Sequence, residues 1–197
     1  MIEDFKKLIS KPTNFYKDLK KKSYGDVIKF LLTINFIPYF LYFLFLQGGE
    51  LNIYIGLTII ISLIYALLSL TIGPFINALI THIGVLIVGG KDYKKTFLAT
   101  GHAMSISAPY LLTAAILVGL FINASEAILI SLTLLGGLIA FAGGIHVLIT
   151  EIIGLKVLHK LTTLRAIIAA LIIPITIFLL FVLLIVALST ILIIGFL

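Results

Sequence analysis

The chain has no cysteine, which excludes a disulfide framework and thiolate chemistry. Charge is scarce: 11% of the 197 residues are Asp, Glu, Lys or Arg, against roughly 25% in a soluble domain. Positive charge is missing altogether from two short breaks between apolar runs, QGGELN (47–52) and NASE (123–126), which hold Glu50 and Glu126. Reaction signatures are missing as well. There is no G-x-S-x-G, no H-E-x-x-H and no paired carboxylates within the apolar spans, and GGKDYKKT (89–96) lacks the glycine spacing of a phosphate-binding loop. These absences predict no enzyme, no cofactor and no metal. No internal repeat is visible, so the inverted-repeat pattern of many transporters is absent too.

What remains is apolar. Hydrophobic residues make up 61% of the chain and the mean hydropathy is +1.28. One core could not hide that much apolar surface from water, so lipid is the solvent for much of it. All 14 Lys and Arg fall in residues 6–29, 91–95 and 156–165, between which the chain crosses and returns. Loops on the cytoplasmic side collect basic residues, so this pattern predicts a multi-pass protein of the cell membrane, N-terminus cytoplasmic and C-terminus outside. The net charge of +6 then faces anionic headgroups at the span ends and does not indicate nucleic acid.

The expected fold is all-α, a bundle of five transmembrane helices with a short N-terminal interfacial helix. Residues 1–26 form a cytoplasmic amphipathic segment in which Pro12 opens a helix and Phe15, Tyr16 and Leu19 share one face. That face is expected to lie on the inner leaflet, with Lys17, Lys20, Lys21 and Lys22 as candidate contacts to lipid headgroups. Residues 27–197 hold the spans, at about 27–46, 53–88, 96–122, 126–149 and 166–194. The second run is long for one crossing, but splitting it would carry the basic cluster 91–95 outside. It is therefore one helix, tilted or kinked near Gly73–Pro74, ending at Gly89 and Gly90. Residues 150–165 are expected to form a separate amphipathic inner segment.

Polar side chains inside the spans are few: Asn35, Asn77, His82, His102 and His146, with Glu151 near an inner boundary. Intramembrane ionisable residues raise a functional hypothesis. His146 and Glu151, five residues apart, stand about 140° apart on a helix and do not share a face. His82, His102 and His159 all fall near the inner boundary, but no ligand spacing supports zinc. Small residues recur at intervals of four, Ala99, Ala103 and Ser107 on the third span and Gly136, Ala140 and Gly144 on the fourth. These ridges are candidate helix-packing surfaces.

The order of parts resembles the Yip1 domain family. The matching pieces are KPTNFYKDL (11–19), GGKDYKKTFLATGHAMSISAPYLL (89–112) and GLKVLHKLTTLRAIIAALIIP (154–174). The resemblance implies five spans, a cytoplasmic N-terminus and no known catalytic activity. Eukaryotic members are linked to vesicle trafficking and prenylated Rab GTPases, but their long N-terminal region is reduced here to about 26 residues, as in compact prokaryotic members. Three roles are weighed: a membrane scaffold binding lipid or an unidentified protein partner through its basic face, a small-molecule or ion transporter, and, with no reaction signature behind it, a membrane enzyme.

Overall fold

The computed structural model describes residues 1–19, 22–46, 55–120 and 126–195. Two short helices, α1 (Ile2–Ser10) and α2 (Pro12–Asp18), precede α3 (Tyr24–Leu46). Next come α4 (Ile55–Thr71), α5 (Gly73–Ile87), α6 (Tyr93–Met104), α7 (Ser107–Leu120) and α8 (Glu126–His159). The last are α9 (Thr163–Ile167), a π-helical turn at Ile168–Ile172, and α10 (Ile173–Gly195). Among the described residues there is no strand, and five helical segments are long and apolar enough to cross a membrane.

Proline and its neighbours explain where spans break. The second span is α4 followed by α5, broken at Ile72 just before Pro74, whose missing N–H and rigid ring interrupt the ladder. Glycine closes α5: Gly89 sits at φ +96° and the Gly90 N–H returns to the Val85 carbonyl at 2.8 Å. The third span breaks between α6 and α7, three residues before Pro109. Carbonyls near that break are taken up by side chains: Ser105 Oγ donates to His102 at 2.6 Å, and Ser107 Oγ and Asn35 Nδ2 donate to Met104 at 2.7 and 3.1 Å. A break inside lipid is tolerated when its polar groups are met this way. Pro38, by contrast, lies inside an unbroken α3.

α6 is the central element, with α3, α5 and α8 all packed against it, and α7 continues along α3 and α8. Residues Thr96 to Ala103 are buried one after another, which requires neighbours on every side of that helix. The fifth span touches the bundle chiefly through its first turns, where the backbone of Ala169 meets Gly84 of α5. Beyond it, Phe178 to Val186 are exposed along the helix, as lipid-facing residues should be.

Two sequence expectations change. Residues 150–159 are not a separate inner segment but the last turns of the 34-residue α8, and the fifth span already begins at Thr163. A helix of that length reaches about 50 Å, well past the roughly 30 Å of hydrocarbon, so its end projects into the headgroup region and beyond. The second change concerns the N-terminus. It forms two helices, and Phe15, Tyr16 and Leu19 are buried with Leu8, Phe30 and Ile106. Their apolar face is covered by protein, where the expectation had it covered by the leaflet. Lys7 and Asp18 pair across α1 and α2 at the exposed side of the two helices.

Candidate functional site

The basic end of the bundle is assembled from three elements. α2 supplies Thr13, Tyr16 and Lys17, the start of α6 supplies Lys94, Lys95 and Leu98 behind its cap Asp92, and the end of α8 supplies Lys156, Val157 and Leu158. With Lys160 and Leu161 these line a groove of about 1070 Å³. Its floor is apolar and its rim carries five lysines against one aspartate. Lys95 pairs with Asp92 at 3.5 Å, and Lys156 Nζ donates to Thr163 Oγ1 at 2.9 Å. Lys17, Lys94 and Lys160 have no hydrogen-bond or ion-pair partner among the described residues.

The way α8 stops is informative. The Leu161 N–H returns to the Lys156 carbonyl at 3.1 Å, closing the helix with Lys160 at φ 56°. Glycine usually fills this left-handed position because a side chain there costs roughly 1 kcal/mol. Among the described residues Lys160 is the one non-glycine with positive φ. A strained residue on a groove rim is a pointer to function, and the inference runs in that direction only.

Beneath the groove lies a buried polar layer. Glu151 is 5% exposed, and its Oε1 accepts from Thr81 Oγ1 at 3.0 Å and Thr100 Oγ1 at 2.9 Å. No Lys, Arg or His forms an ion pair with it among the described residues. The Tyr16 hydroxyl donates to the Ala99 carbonyl at 3.0 Å, pinning α2 to α6. Burial first, and the Glu151 carboxyl second, push the Tyr16 phenol well above its usual range, so it stays a protonated donor. Gly154 makes this fit possible, since a Cβ there would lie 2.7 Å from the Tyr16 ring and 3.0 Å from the Ala99 methyl.

The histidines separate into three settings. Thr96 Oγ1 lies 2.9 Å from His82 Nδ1 and 3.1 Å from His159 Nε2. One hydroxyl proton cannot serve both rings, so Thr96 donates to one and accepts from the other. His102 is elsewhere, its Nδ1 donating to the Leu98 carbonyl at 2.8 Å and its ring packed on Phe15 and Phe30. His146 Nδ1 meets the Tyr110 hydroxyl at 2.9 Å. Among the described residues no three metal-ligating side chains gather.

Other sequence candidates disperse. Lys17 is on the groove, Lys22 lines a smaller cavity with Asp4, Asp26 and Lys29, and Lys20 and Lys21 lie outside the described residues. Asn35 is buried beside Met104 and Ser107 with its Oδ1 unpartnered, while Asn77 is half-buried on α5. The ridges meet in part. Ala99, Ala103 and Gly136 are buried, Ser107 and Ala140 are half-buried, and Gly144 points outward with nothing within 4 Å of its Cβ position. The tight contact on α8 is Gly143, where a Cβ would lie 2.7 Å from Tyr110. Residues 6–186, which take in α2, the five spans up to Val186 and the lysine-rich end, match the Yip1 domain family model.

The chain belongs to the Yip1 domain family. The match takes in α2, the centre at α6 and the whole groove, so the site lies within the Yip1 domain. No curated protein and no solved structure matches this Yip1-domain chain. Sequence reasoning had singled out Lys17 but not Lys94, Lys95, Lys156 or Lys160 as a set. The available signal was the pair of segments GGKDYKK and GLKVLHK, each at the end of a span with lysines three or four residues apart.

Proposed function

We propose that this Yip1-domain protein is a non-catalytic membrane scaffold whose basic end binds anionic lipid at the cytoplasmic leaflet. The lysine-rimmed groove carries the reading: it places unpaired ammonium groups over an apolar floor at the ends of the spans. Basic residues at such a surface each contribute about 1 kcal/mol of attraction to anionic lipid. Transport fits less well. It asks for a polar path through the bilayer, whereas the void further along α7 and α8, about 130 Å³, is lined mainly by Phe45, Ala114, Ala115, Val118 and glycines of α8, with only the hydroxyls of Tyr42 and Thr133.

The orientation follows from the charge pattern and has its own check. Reporters fused after Asp92 and at the C-terminus are expected to lie on opposite sides, with the Asp92 fusion in the cytoplasm. Both on one side would mean the second span is read wrongly. For binding, the protein is placed in discs of phosphatidylcholine with and without phosphatidylglycerol and melted by circular dichroism. Ligand that binds only the folded state raises the melting temperature, so anionic discs should melt later, and high salt should remove the difference. Equal melting at low salt would refute lipid binding at the basic end.

A further inference from the structure

The groove is more selective than a general basic surface. Of its five lysines two are already engaged, Lys95 with Asp92 and Lys156 with Thr163. That leaves three lysines without a partner among the described residues, Lys17 from α2, Lys94 from α6 and Lys160 beyond α8, which line one groove from three separate elements. The floor between them is Tyr16, Leu98, Val157, Leu158 and Leu161, which offers a phosphate nothing but suits glycerol and the first carbons of an acyl chain. The volume of about 1070 Å³ is also far larger than a free phosphate requires. Lys160 is the independent observation. It holds a backbone conformation that glycine would adopt without strain, so this residue carries a side chain at a position where the backbone favours none.

We infer that the groove seats one phosphomonoester-headed membrane lipid, of the phosphatidate class, with Lys17, Lys94 and Lys160 on the phosphate. A phosphomonoester carries about −1.5 to −2 charge at neutral pH with three acceptor oxygens, which matches three donors better than the single charge of a phosphodiester lipid. Lysine suits this task because it meets phosphate as a point charge with rotatable donors. The inference rests on the reading that the basic end faces an anionic leaflet.

The full chain in phosphatidylcholine discs is titrated with phosphatidate, with phosphatidylglycerol and with soluble glycerol 3-phosphate, and bound lipid is counted by native mass spectrometry. Phosphatidate should bind several-fold tighter than phosphatidylglycerol, and glycerol 3-phosphate should displace it only at great excess. Lys17→Ala, Lys94→Ala and Lys160→Gly should each weaken phosphatidate about fivefold. Lys160→Gly should do so with an unchanged or raised melting temperature, which separates the site from the fold. Lys91→Ala removes the same charge three residues before Lys94, outside the groove, and should leave binding intact. If Lys91→Ala weakens binding as much as the others, diffuse charge is responsible and the site is refuted. Equal binding of the two lipids sinks the phosphomonoester assignment while anionic-lipid binding stands. Binding of neither lipid removes the underlying reading. Ready displacement by glycerol 3-phosphate would make the ligand a soluble phosphate instead.

Discussion

Replacing Gly84 with Leu should abolish the folded bundle, and even Gly84→Ala should lower the melting temperature markedly. A Cβ at this position would lie 2.5 Å from the Ala169 carbonyl oxygen and 2.8 Å from the Ala169 Cα. These are backbone atoms, so no rotamer change relieves the clash, and α5 must separate from the fifth span. Overpacking commonly costs about 1–3 kcal/mol, and a clash with backbone belongs at or above the upper end. Gly137 and Gly144, with nothing within 4 Å of their Cβ positions, are internal controls. Alanine at either should be neutral or slightly stabilising, since glycine inside a helix is up to about 1 kcal/mol worse than alanine. If Gly84→Ala melts with the wild type while the controls behave as stated, the helices are not in backbone contact at Ala169.

The second large effect is expected at Glu151. Its Oε1 collects hydroxyl protons from Thr81 on α5 and Thr100 on α6, so one carboxyl oxygen ties three spans together. Glu151→Leu fills similar space but leaves both hydroxyls buried without that acceptor. Each unsatisfied group costs about 1–3 kcal/mol, so a loss of several kcal/mol follows in the absence of rearrangement. Glu151→Gln keeps a carbonyl oxygen for both hydroxyls and should cost far less. The decisive comparison is the melting temperature of the two variants in the same lipid. Equal stability of Glu151→Leu and Glu151→Gln would show that the hydroxyls do not depend on this acceptor.

These two positions illustrate what hydropathy and charge convey and what they leave out. The side on which each basic cluster lies is a constraint on the whole chain, and it kept residues 53–88 as a single crossing despite their length. The structure has one crossing there, built as α4 and α5 around the break before Pro74. The burial partner of an apolar face is not encoded in the same way. Phe15 and Tyr16 present a face that lipid or protein could cover equally well, because both are apolar, and the N-terminal pair is seated on α6 and α8.

The small-residue pattern picks out the seam only in part, for a related reason. Intervals of four pointed to Gly136, Ala140 and Gly144, whereas α8 turns Gly136, Gly143 and Thr150 inward, an interval of seven. Helices that cross at a shallow angle keep a seam of that period. Thus the residue that touches Tyr110 is Gly143, one position before the one the four-residue ridge selects. Glu151 was visible as an intramembrane acid, but its partners come from residues 51 and 70 positions away, beyond the reach of local periodicity.

The seat of the N-terminal pair has a consequence for how the protein is made. Tyr16 leaves the ribosome early, yet its hydroxyl partner lies 83 residues later at Ala99, and the glycine that accommodates its ring is Gly154. At about 5–20 residues per second, synthesis reaches that glycine on the order of ten seconds after Tyr16 has emerged. Until then the first two helices present Leu8, Phe15 and Leu19 with no complete docking surface. Docking of α2 is therefore a late event in biogenesis, and it cannot occur until the fourth span has been threaded through.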